Sequence, residues 1–231
     1  MTPQRLMAAA ERRFGVGVKR TNQLNRFLAH HGVDLLIDVG ANVGQFGREV
    51  RDRGYAGEIL SFEPISTVFG ELKAEIGDDP LWKARQSALG SSAGSADINV
   101  SEFTVFSSMR RLNDTGLEFD NRARAVRTET VEVARLDEVM ASIPAQQVFL
   151  KIDTQGFERE VLLGATDTLK RCIGVQLELA AEHIYDKIWP MHEAIAFMNQ
   201  EGFIPAQFKP VNPRKDDPTS ALEFDCIFRR K

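Results

Sequence analysis

The sequence predicts an α/β fold in which a mostly parallel sheet carries helices on both faces. Short apolar runs alternate with segments of helical periodicity along most of the chain. Two of these runs, in "DLLIDVGANVGQF" at 34–46 and "VFLKIDTQGFEREVLLGA" at 148–165, end in an acid that a glycine-containing turn and a helix follow. Alternation of this kind joins parallel strands through right-handed crossovers.

The amino-terminal part of the pattern predicts strands at 34–38, 58–62 and 82–88, with helices at 45–53 and 66–76. Residues 91–147 interrupt the pattern: 96–100 and 126–133 alternate apolar and polar residues as half-exposed strands do. The stretch between these two strands is long enough to favour a functional loop.

The alternation resumes with a strand at 148–152, a helix at 158–170, a strand at 173–179 and a helix at 191–200. Two last strands, 203–209 and 224–229, flank the turn-rich segment "PVNPRKDDPTS", which predicts an antiparallel pair at one end of the sheet. Residues 1–31 have amphipathic periodicity and predict a helical extension packed on a domain formed by residues 32–231.

The amino-acid composition limits the classes of protein to which the chain can belong. The 231 residues are 43% apolar and 27% charged, with a formal net charge of −4, which is typical of a soluble globular protein and disfavours a nucleic-acid partner. Cys172 and Cys226 lie in separate apolar runs and are expected to be reduced core thiols. No apolar run approaches the roughly 18 residues of a transmembrane helix, and the amino terminus lacks a signal-peptide pattern. We therefore expect a cytoplasmic protein; its oligomeric state is open.

The turn after the first strand, together with the acid after the second, predicts an adenosyl-binding site. Gly40 and Gly44 allow a tight backbone turn beside a ligand, and Glu63 ends the second strand, where a carboxylate accepts ribose hydroxyls. The glycine spacing differs from G-x-G-x-x-G, and the turn lacks the Lys-Ser/Thr ending of a phosphate-binding loop. These departures disfavour NAD and nucleoside triphosphates and favour S-adenosylmethionine, with Asp38 helping to hold its ammonium group. In the alternative interpretation, Asp38 and Asn42 only cap the turn.

Further polar residues near strand ends predict the catalytic edge of the sheet. Asp153 follows the strand at 148–152, Glu178 ends the next strand, and His183 comes five residues later. Asp153 and His183 are the candidate general bases for a hydroxyl proton, whereas Glu158, in a first helical turn, is also explained by the helix dipole. Asp153 and Glu178 leave open an alternative in which two carboxylates hold Mg²⁺, although the preferred prediction contains no metal.

The motifs "LLIDVGANVGQF", "SFEP", "SALG", "ARLDEV" and "FLKIDTQGFEREVLLGA" resemble the FkbM-type S-adenosylmethionine-dependent methyltransferases, from roughly residue 33 onward. The resemblance implies a Rossmann-like class I methyltransferase fold with a seven-stranded sheet whose last strand is antiparallel. It also implies a set of cofactor contacts, namely Asp38, Gly40, Asn42, Gly44, Glu63, Ser87 and Ala88.

The same resemblance implies that the acceptor is a hydroxyl group, commonly on a sugar of a glycolipid, a polysaccharide or a glycosylated natural product. Ser107 and Ser108 stand where relatives carry a serine-rich loop, so that these two and Glu178 are the candidate acceptor-binding residues. Two other predictions compete with this one. The first is an NAD-dependent oxidoreductase on the same sheet, and the second is an adenosyl-binding module without activity.

Overall fold

The computed structural model describes residues 22–104, 107–110, 124–182, 185 and 188–231. The helices within these ranges are α1 Gln23–His30, α2 Gln45–Asp52, α3 Ser66–Ile76, α4 Leu136–Met140, α5 Glu158–Leu163, α6 Thr166–Arg171 and α7 Met191–Gln200. The strands are β1 Leu35–Val39, β2 Glu58–Phe62, β3 Trp82–Arg85, β4 Ala88–Leu89, β5 Gly94–Ser101, β6 Ala125–Ala134, β7 Val148–Ile152, β8 Cys172–Ala180, β9 Phe203–Pro213 and β10 Ala221–Arg230.

Seven strands form the main sheet in the order β3-β2-β1-β7-β8-β10-β9. All neighbouring strands are parallel except that β10 runs antiparallel to both β8 and β9. Every residue of β1 and β7 is buried, which explains why these central strands are nearly continuous apolar runs. This arrangement confirms the predicted mostly parallel sheet and the antiparallel pair at its end.

The predicted strand at 82–88 is two strands. β3 pairs with β2 in the main sheet, whereas β4 pairs with β6 in a second sheet of order β4-β6-β5. The chain turns between them, where the amide of Ser87 donates to the carbonyl of Arg85 at 3.1 Å. The half-exposed strands predicted within 91–147 are β5 and β6, which pair antiparallel.

The prediction of one helix at 158–170 was wrong, because the chain breaks at Gly164 into α5 and α6. A Cβ atom at Gly164 would lie 2.0 Å from the carbonyl oxygen of Gly90, so a tertiary contact occupies the space that a side chain needs. The carboxylate of Asp137 then caps α6 by accepting from the Thr168 amide and hydroxyl, both at 2.8 Å. Apolar periodicity continues across the break, so the sequence pattern conceals it.

Helix α1 packs on the sheet through Leu24, Phe27 and Leu28. The Phe27 ring meets Phe149 of β7 edge-on, with 5.7 Å between the ring centroids. The rest of the predicted amino-terminal extension, 1–21, lies outside the described residues, and the boundary at residue 31 stays a prediction. No helix in the described ranges is long and apolar enough to cross a membrane.

Candidate active site

An open pocket of about 680 Å³, including the solvent at its mouth, lies at the carboxyl edge of β1, β2 and β7. Parallel strands present their carboxyl ends at one edge, and open α/β sheets bind ligands there. The pocket brings together seven predicted site residues that are far apart in sequence: Gly40, Asn42, Glu63, Ser87, Ala88, Ser107 and Asp153.

The turn after β1 presents its backbone to this pocket. Gly40 has a φ of +74°, and a Cβ atom there would lie 1.9 Å from the carbonyl oxygen of Asp153. The amides of Gly40 and Ala41 both donate to the carbonyl of Phe62, at 3.1 and 3.0 Å, so the turn is fixed to the end of β2. Glycine is therefore required at position 40 both by the left-handed conformation and by the close approach of β7's end.

Glu63 follows β2, forms part of the pocket wall and is only 4% exposed. Its carboxylate accepts from the amide of Asn42 at 3.0 Å and from the amide of Ile65 at 2.9 Å. Burial raises the pKa of Glu63 to about 7, although the two backbone donors oppose the increase. Each oxygen accepts one of these bonds, which leaves further acceptor capacity for ribose hydroxyls.

Ser87 supplies a second polar group to the wall, beside Ala88. Its hydroxyl oxygen is buried and has no hydrogen-bond partner in the part of the chain that the structure describes. An unpaired buried hydroxyl costs roughly 1–3 kcal/mol. A polar ligand in the pocket is the natural partner for it, which fits the predicted adenine end of the cofactor.

Asp38 is fully buried and does not form part of the pocket wall. It lies opposite Lys151 in the β1–β7 register, and its carboxylate oxygen is 2.9 Å from the Lys151 ammonium. Burial raises the pKa of Asp38. Burial lowers the pKa of Lys151, but the facing carboxylates of Asp38 and Asp153 outweigh that effect and raise it above its ordinary value. The predicted contact of Asp38 with the cofactor's ammonium group stays a prediction.

Sequence reasoning missed the role of Lys151, which lies 7% exposed at the side chain within an otherwise apolar strand. Its ammonium also approaches the Asp153 carboxylate at 3.5 Å and donates to the Gly40 carbonyl at 3.3 Å. The signal was available, since a lysine inside a buried strand needs a paired anion. Lys151 therefore joins the glycine turn to the end of β7.

The turn after β7, Thr154 to Gly156, is held by its own helix. Glu158 is buried, and one carboxylate oxygen accepts from the Thr154 amide, the Thr154 hydroxyl and the Gly156 amide, at 3.0, 3.1 and 3.1 Å. Burial raises the pKa of Glu158. This carboxylate fixes the turn directly, which is more than an interaction with the helix dipole would do.

Gln155 is the centre of a polar network at this edge. Its side-chain amide donates to Asp153 and to Glu178, both at 2.9 Å, and its carbonyl accepts from the Tyr185 hydroxyl at 3.0 Å. The hydroxyl of buried Ser108 donates to the main-chain carbonyl of Gln155 at 2.6 Å. Ser108 and Glu178 thus contact the network behind the pocket, and their predicted acceptor-binding role stays a prediction.

The other predicted site residues lie elsewhere. Gly44 is the N-cap residue just before α2, with a φ of +90°, and its Cβ direction faces Leu72 of α3 rather than the pocket. His183 lies outside the described residues. Within the described ranges, no group of three histidine, cysteine, aspartate or glutamate residues has the arrangement of a metal site. The magnesium alternative therefore rests only on Asp153 and Glu178.

Comparison with known families agrees with this geometry. A family model described as the methyltransferase FkbM domain matches residues 38–205. A curated relative, the AMB antimetabolite synthetase AmbE of Pseudomonas aeruginosa, is 26% identical over 168 residues. That match covers 58% of this chain and 8% of AmbE, so the chain spans less than a tenth of that relative.

Solved structures share the fold. The magnesium protoporphyrin IX methyltransferase ChlM of Synechocystis PCC 6803, solved with bound SAM, matches with a TM-score of 0.52 at 10% identity, over 100% of this chain and 98% of ChlM. TehB of Haemophilus influenzae matches with a TM-score of 0.50 at 5% identity, over 96% of this chain and 66% of TehB. At such identities the likeness shows the fold alone, and it confirms the predicted class I methyltransferase architecture.

Proposed function

Because the chain belongs to the FkbM methyltransferase domain family and depends on S-adenosylmethionine as methyl donor, we propose that it methylates a hydroxyl oxygen. The acceptor that we propose is a sugar hydroxyl of a glycolipid, a polysaccharide or a glycosylated natural product. The family assignment decides against the nicotinamide-dependent alternative.

The observation that carries this proposal is the position of Asp153. Its side chain is 39% exposed, and it forms part of the same pocket wall as Gly40, Asn42 and Glu63. A carboxylate beside the donor site and open to solvent is suitably placed to accept the proton of an attacking hydroxyl. Asp153 is therefore the preferred general base among the two predicted candidates.

We assign different pocket residues to different parts of the donor. In this proposal Glu63 accepts the ribose hydroxyls, Ser87 and Ala88 contact the adenine, and the Gly40 to Asn42 backbone contacts the methionine end; all of these residues except Ala41 line the pocket. When bound, S-adenosylmethionine supplies a methyl group that its sulfonium already activates.

The protein must then align the acceptor oxygen with that methyl group and remove its proton. Alignment of two reactants supplies on the order of 7–11 kcal/mol of a barrier, and a positioned base adds roughly 10²- to 10⁴-fold in rate. The oxygen–carbon bond forms as the sulfur–carbon bond breaks, and the hydroxyl proton passes to Asp153.

The experiment is a methyl-transfer assay with isotopically labelled donor and four acceptors from three classes: the glycosides methyl rhamnoside and methyl fucoside, a catechol and a primary amine. We expect labelled methyl ethers on a glycoside, identified by NMR, with one S-adenosylhomocysteine released per methyl group. Label found only on nitrogen or on the catechol would overturn the sugar proposal. Binding of S-adenosylhomocysteine without turnover on any acceptor would favour the adenosyl-binding module without activity.

A further inference from the structure

A second cavity, of about 1360 Å³ including open solvent, lies between helices α1 and α2 and the half of the sheet formed by β7, β8, β10 and β9. Gln45 and Asp153 belong to its wall and also to the wall of the donor pocket, so the two cavities adjoin at the proposed base. We propose that this cavity, called here the acceptor groove, binds the polyhydroxylated ring of the acceptor. The inference rests on the proposed function and deepens it.

The floor of the acceptor groove is a row of residues that crosses the sheet and is polar except at buried Ile227. Lys151 lies opposite both Asp38 and Gln176 in the strand registers. Gln176 lies opposite Ile227, and Ile227 lies opposite Gln207. Residues paired in register share a face of the sheet. Apolar side chains are the rule where helices cover a central strand, so a row this polar indicates a face that meets a polar ligand.

Four glutamines in this groove have unused hydrogen-bonding capacity. Gln23 and Gln45 are exposed, and Gln176 and Gln207 are half-buried. Across the described ranges, none of their side-chain amides forms a hydrogen bond, in contrast to the fully engaged Gln155. Each amide offers two donors and an acceptor oxygen. Adjacent hydroxyls on a sugar ring need this mixture, because each hydroxyl both donates and accepts.

Aromatic side chains border the same groove. Phe208 is an exposed large apolar residue, at 49% exposure, and Phe46 is half-buried on the wall near Gln45. The apolar face of a pyranose ring packs on surfaces of this kind. The charges in the groove are largely paired, since Lys209 lies 3.4 Å from Asp225 and Lys151 lies between Asp38 and Asp153. A neutral polyhydroxylated ligand therefore fits better than an ionic one.

The test uses the full chain with Gln176→Leu, which keeps the side-chain size and removes the amide, and with Phe208→Ala and Gln207→Ala on β9. The matched control is Gln147→Leu, an exposed glutamine just before β7 at the opposite edge of the sheet. Binding of methyl rhamnoside and methyl fucoside to S-adenosylhomocysteine-saturated protein is followed by saturation-transfer NMR. Turnover gives KM and kcat, and calorimetry gives the affinity for S-adenosylhomocysteine.

We expect Gln176→Leu and Phe208→Ala each to raise the glycoside KM at least tenfold, with the affinity for S-adenosylhomocysteine changed less than twofold. Gln147→Leu should match the wild type in KM, in kcat and in the affinity for S-adenosylhomocysteine. If the wild type methylates a glycoside and the groove variants keep its KM, the acceptor binds elsewhere, and only this inference fails. The inference also fails if the variants melt several degrees lower with an unchanged KM, because the chain itself then covers the groove.

If the wild type binds S-adenosylhomocysteine but neither binds nor methylates any glycoside, the proposed sugar acceptor and the groove fail together. Should Gln176→Leu prevent folding, Gln207→Ala and Phe208→Ala decide the question, because both positions lie on the edge strand β9.

Discussion

Two strand–turn–helix units stand side by side at the centre of this sheet, and they fix their turns in opposite ways. The turn after β1 depends on distant partners: its amides donate to Phe62 and Glu63, and its glycine packs against the end of β7. The turn after β7 is fixed chiefly from within by Glu158, the first residue of its own helix, with added bonds from the distant Ser108 and Arg110.

This difference sets what each turn presents to the pocket. The first turn presents main-chain atoms of its glycine to the pocket, so a cofactor can approach the backbone closely. The second turn offers the side chains of Asp153, Thr154 and Gln155, which suit proton transfer and contact with a variable acceptor. The second turn is held chiefly through its own helix, whereas the glycine turn depends on the ends of β2 and β7.

The largest expected effect comes from Gly40→Ala, which inserts a methyl group into the contact with Asp153. We expect a loss of about 3 kcal/mol or more in the free energy of unfolding, from overpacking and positive-φ strain together. The affinity for S-adenosylhomocysteine should fall more than 100-fold, since the turn cannot keep its position. Urea denaturation and calorimetric titration measure the two quantities.

Gly54→Ala is the matched control, since Gly54 also has a positive φ, of +97°, but nothing lies within 4 Å of its Cβ position. It should cost only about 1–2 kcal/mol of conformational strain. Equal losses in the two variants would contradict the role assigned to the Gly40 contact.

The next largest effect is expected for Asp153→Asn, which keeps an oxygen for the Gln155 amide and removes the base. The kcat should fall roughly 10²- to 10⁴-fold, while the affinity for S-adenosylhomocysteine changes little. Asp137→Asn, at the cap of α6, is the control, and it should lower stability but leave kcat unchanged. A kcat for Asp153→Asn within tenfold of the wild type would direct attention to His183.

A third prediction concerns Glu63 and pH. The role that we propose for the Glu63 carboxylate is to accept ribose hydroxyls, and burial raises its pKa to about 7. On that proposal, affinity for S-adenosylhomocysteine should increase as the pH rises through 7 and then level off. Glu63→Gln should remove this pH dependence and weaken binding roughly 10- to 100-fold, as expected for hydrogen bonds to a charged group. Calorimetry from pH 5.5 to 8.5 measures both effects.

The stability of the ligand-free protein should change with pH in the opposite direction, decreasing as the pH rises. A carboxyl whose folded-state pKa is raised stabilises the fold fully below its unfolded-state pKa of 4.5 and loses that contribution as the pH rises through 7. An affinity that decreased with rising pH would mean that the protonated acid binds the ligand.

The smallest expected effect is that of Ser108→Ala, which removes a hydrogen bond to the turn after β7. The hydroxyl donates to Gln155 and accepts from the Arg110 amide at 2.9 Å, so its removal should cost about 1–2 kcal/mol of stability. We expect kcat to fall less than tenfold, because Glu158 still holds the turn. Exposed Ser92→Ala serves as control in thermal denaturation. A loss above a hundredfold in kcat for Ser108→Ala would show that Glu158 alone does not hold the turn.

The sequence allowed prediction of what is encoded locally. The buried strands β1 and β7, the positive-φ glycine at position 40 and the carboxylate at 63 each follow from residue types within a few positions. The break at Gly164 depends on the distant backbone of Gly90, and the split of the third strand depends on pairing with β6. The split leaves no mark in the local pattern, and Gly164 alone does not identify a break, because an isolated glycine is tolerated within a helix.

The site was predictable to the same extent. Strand-end positions indicated that Glu63 and Asp153 share one edge, which the pocket confirms as a placement, although their chemical roles stay predictions. The ion pair of Asp38 with Lys151 depends on strand register, and the four partners of Gln155 come from three separate segments. Register and long-range contacts are properties of the folded chain that spacing alone does not determine.

The position of β10 has a consequence for how the fold is reached. This strand follows β9 along the chain, yet it lies between β8 and β9 in the sheet. Before β10 is in place, both β8 and β9 present an unpaired edge, and such edges promote aggregation between chains. A partly folded chain in which β10 has not inserted therefore exposes two unpaired strand edges at once. We expect early insertion of β10 to limit aggregation between chains.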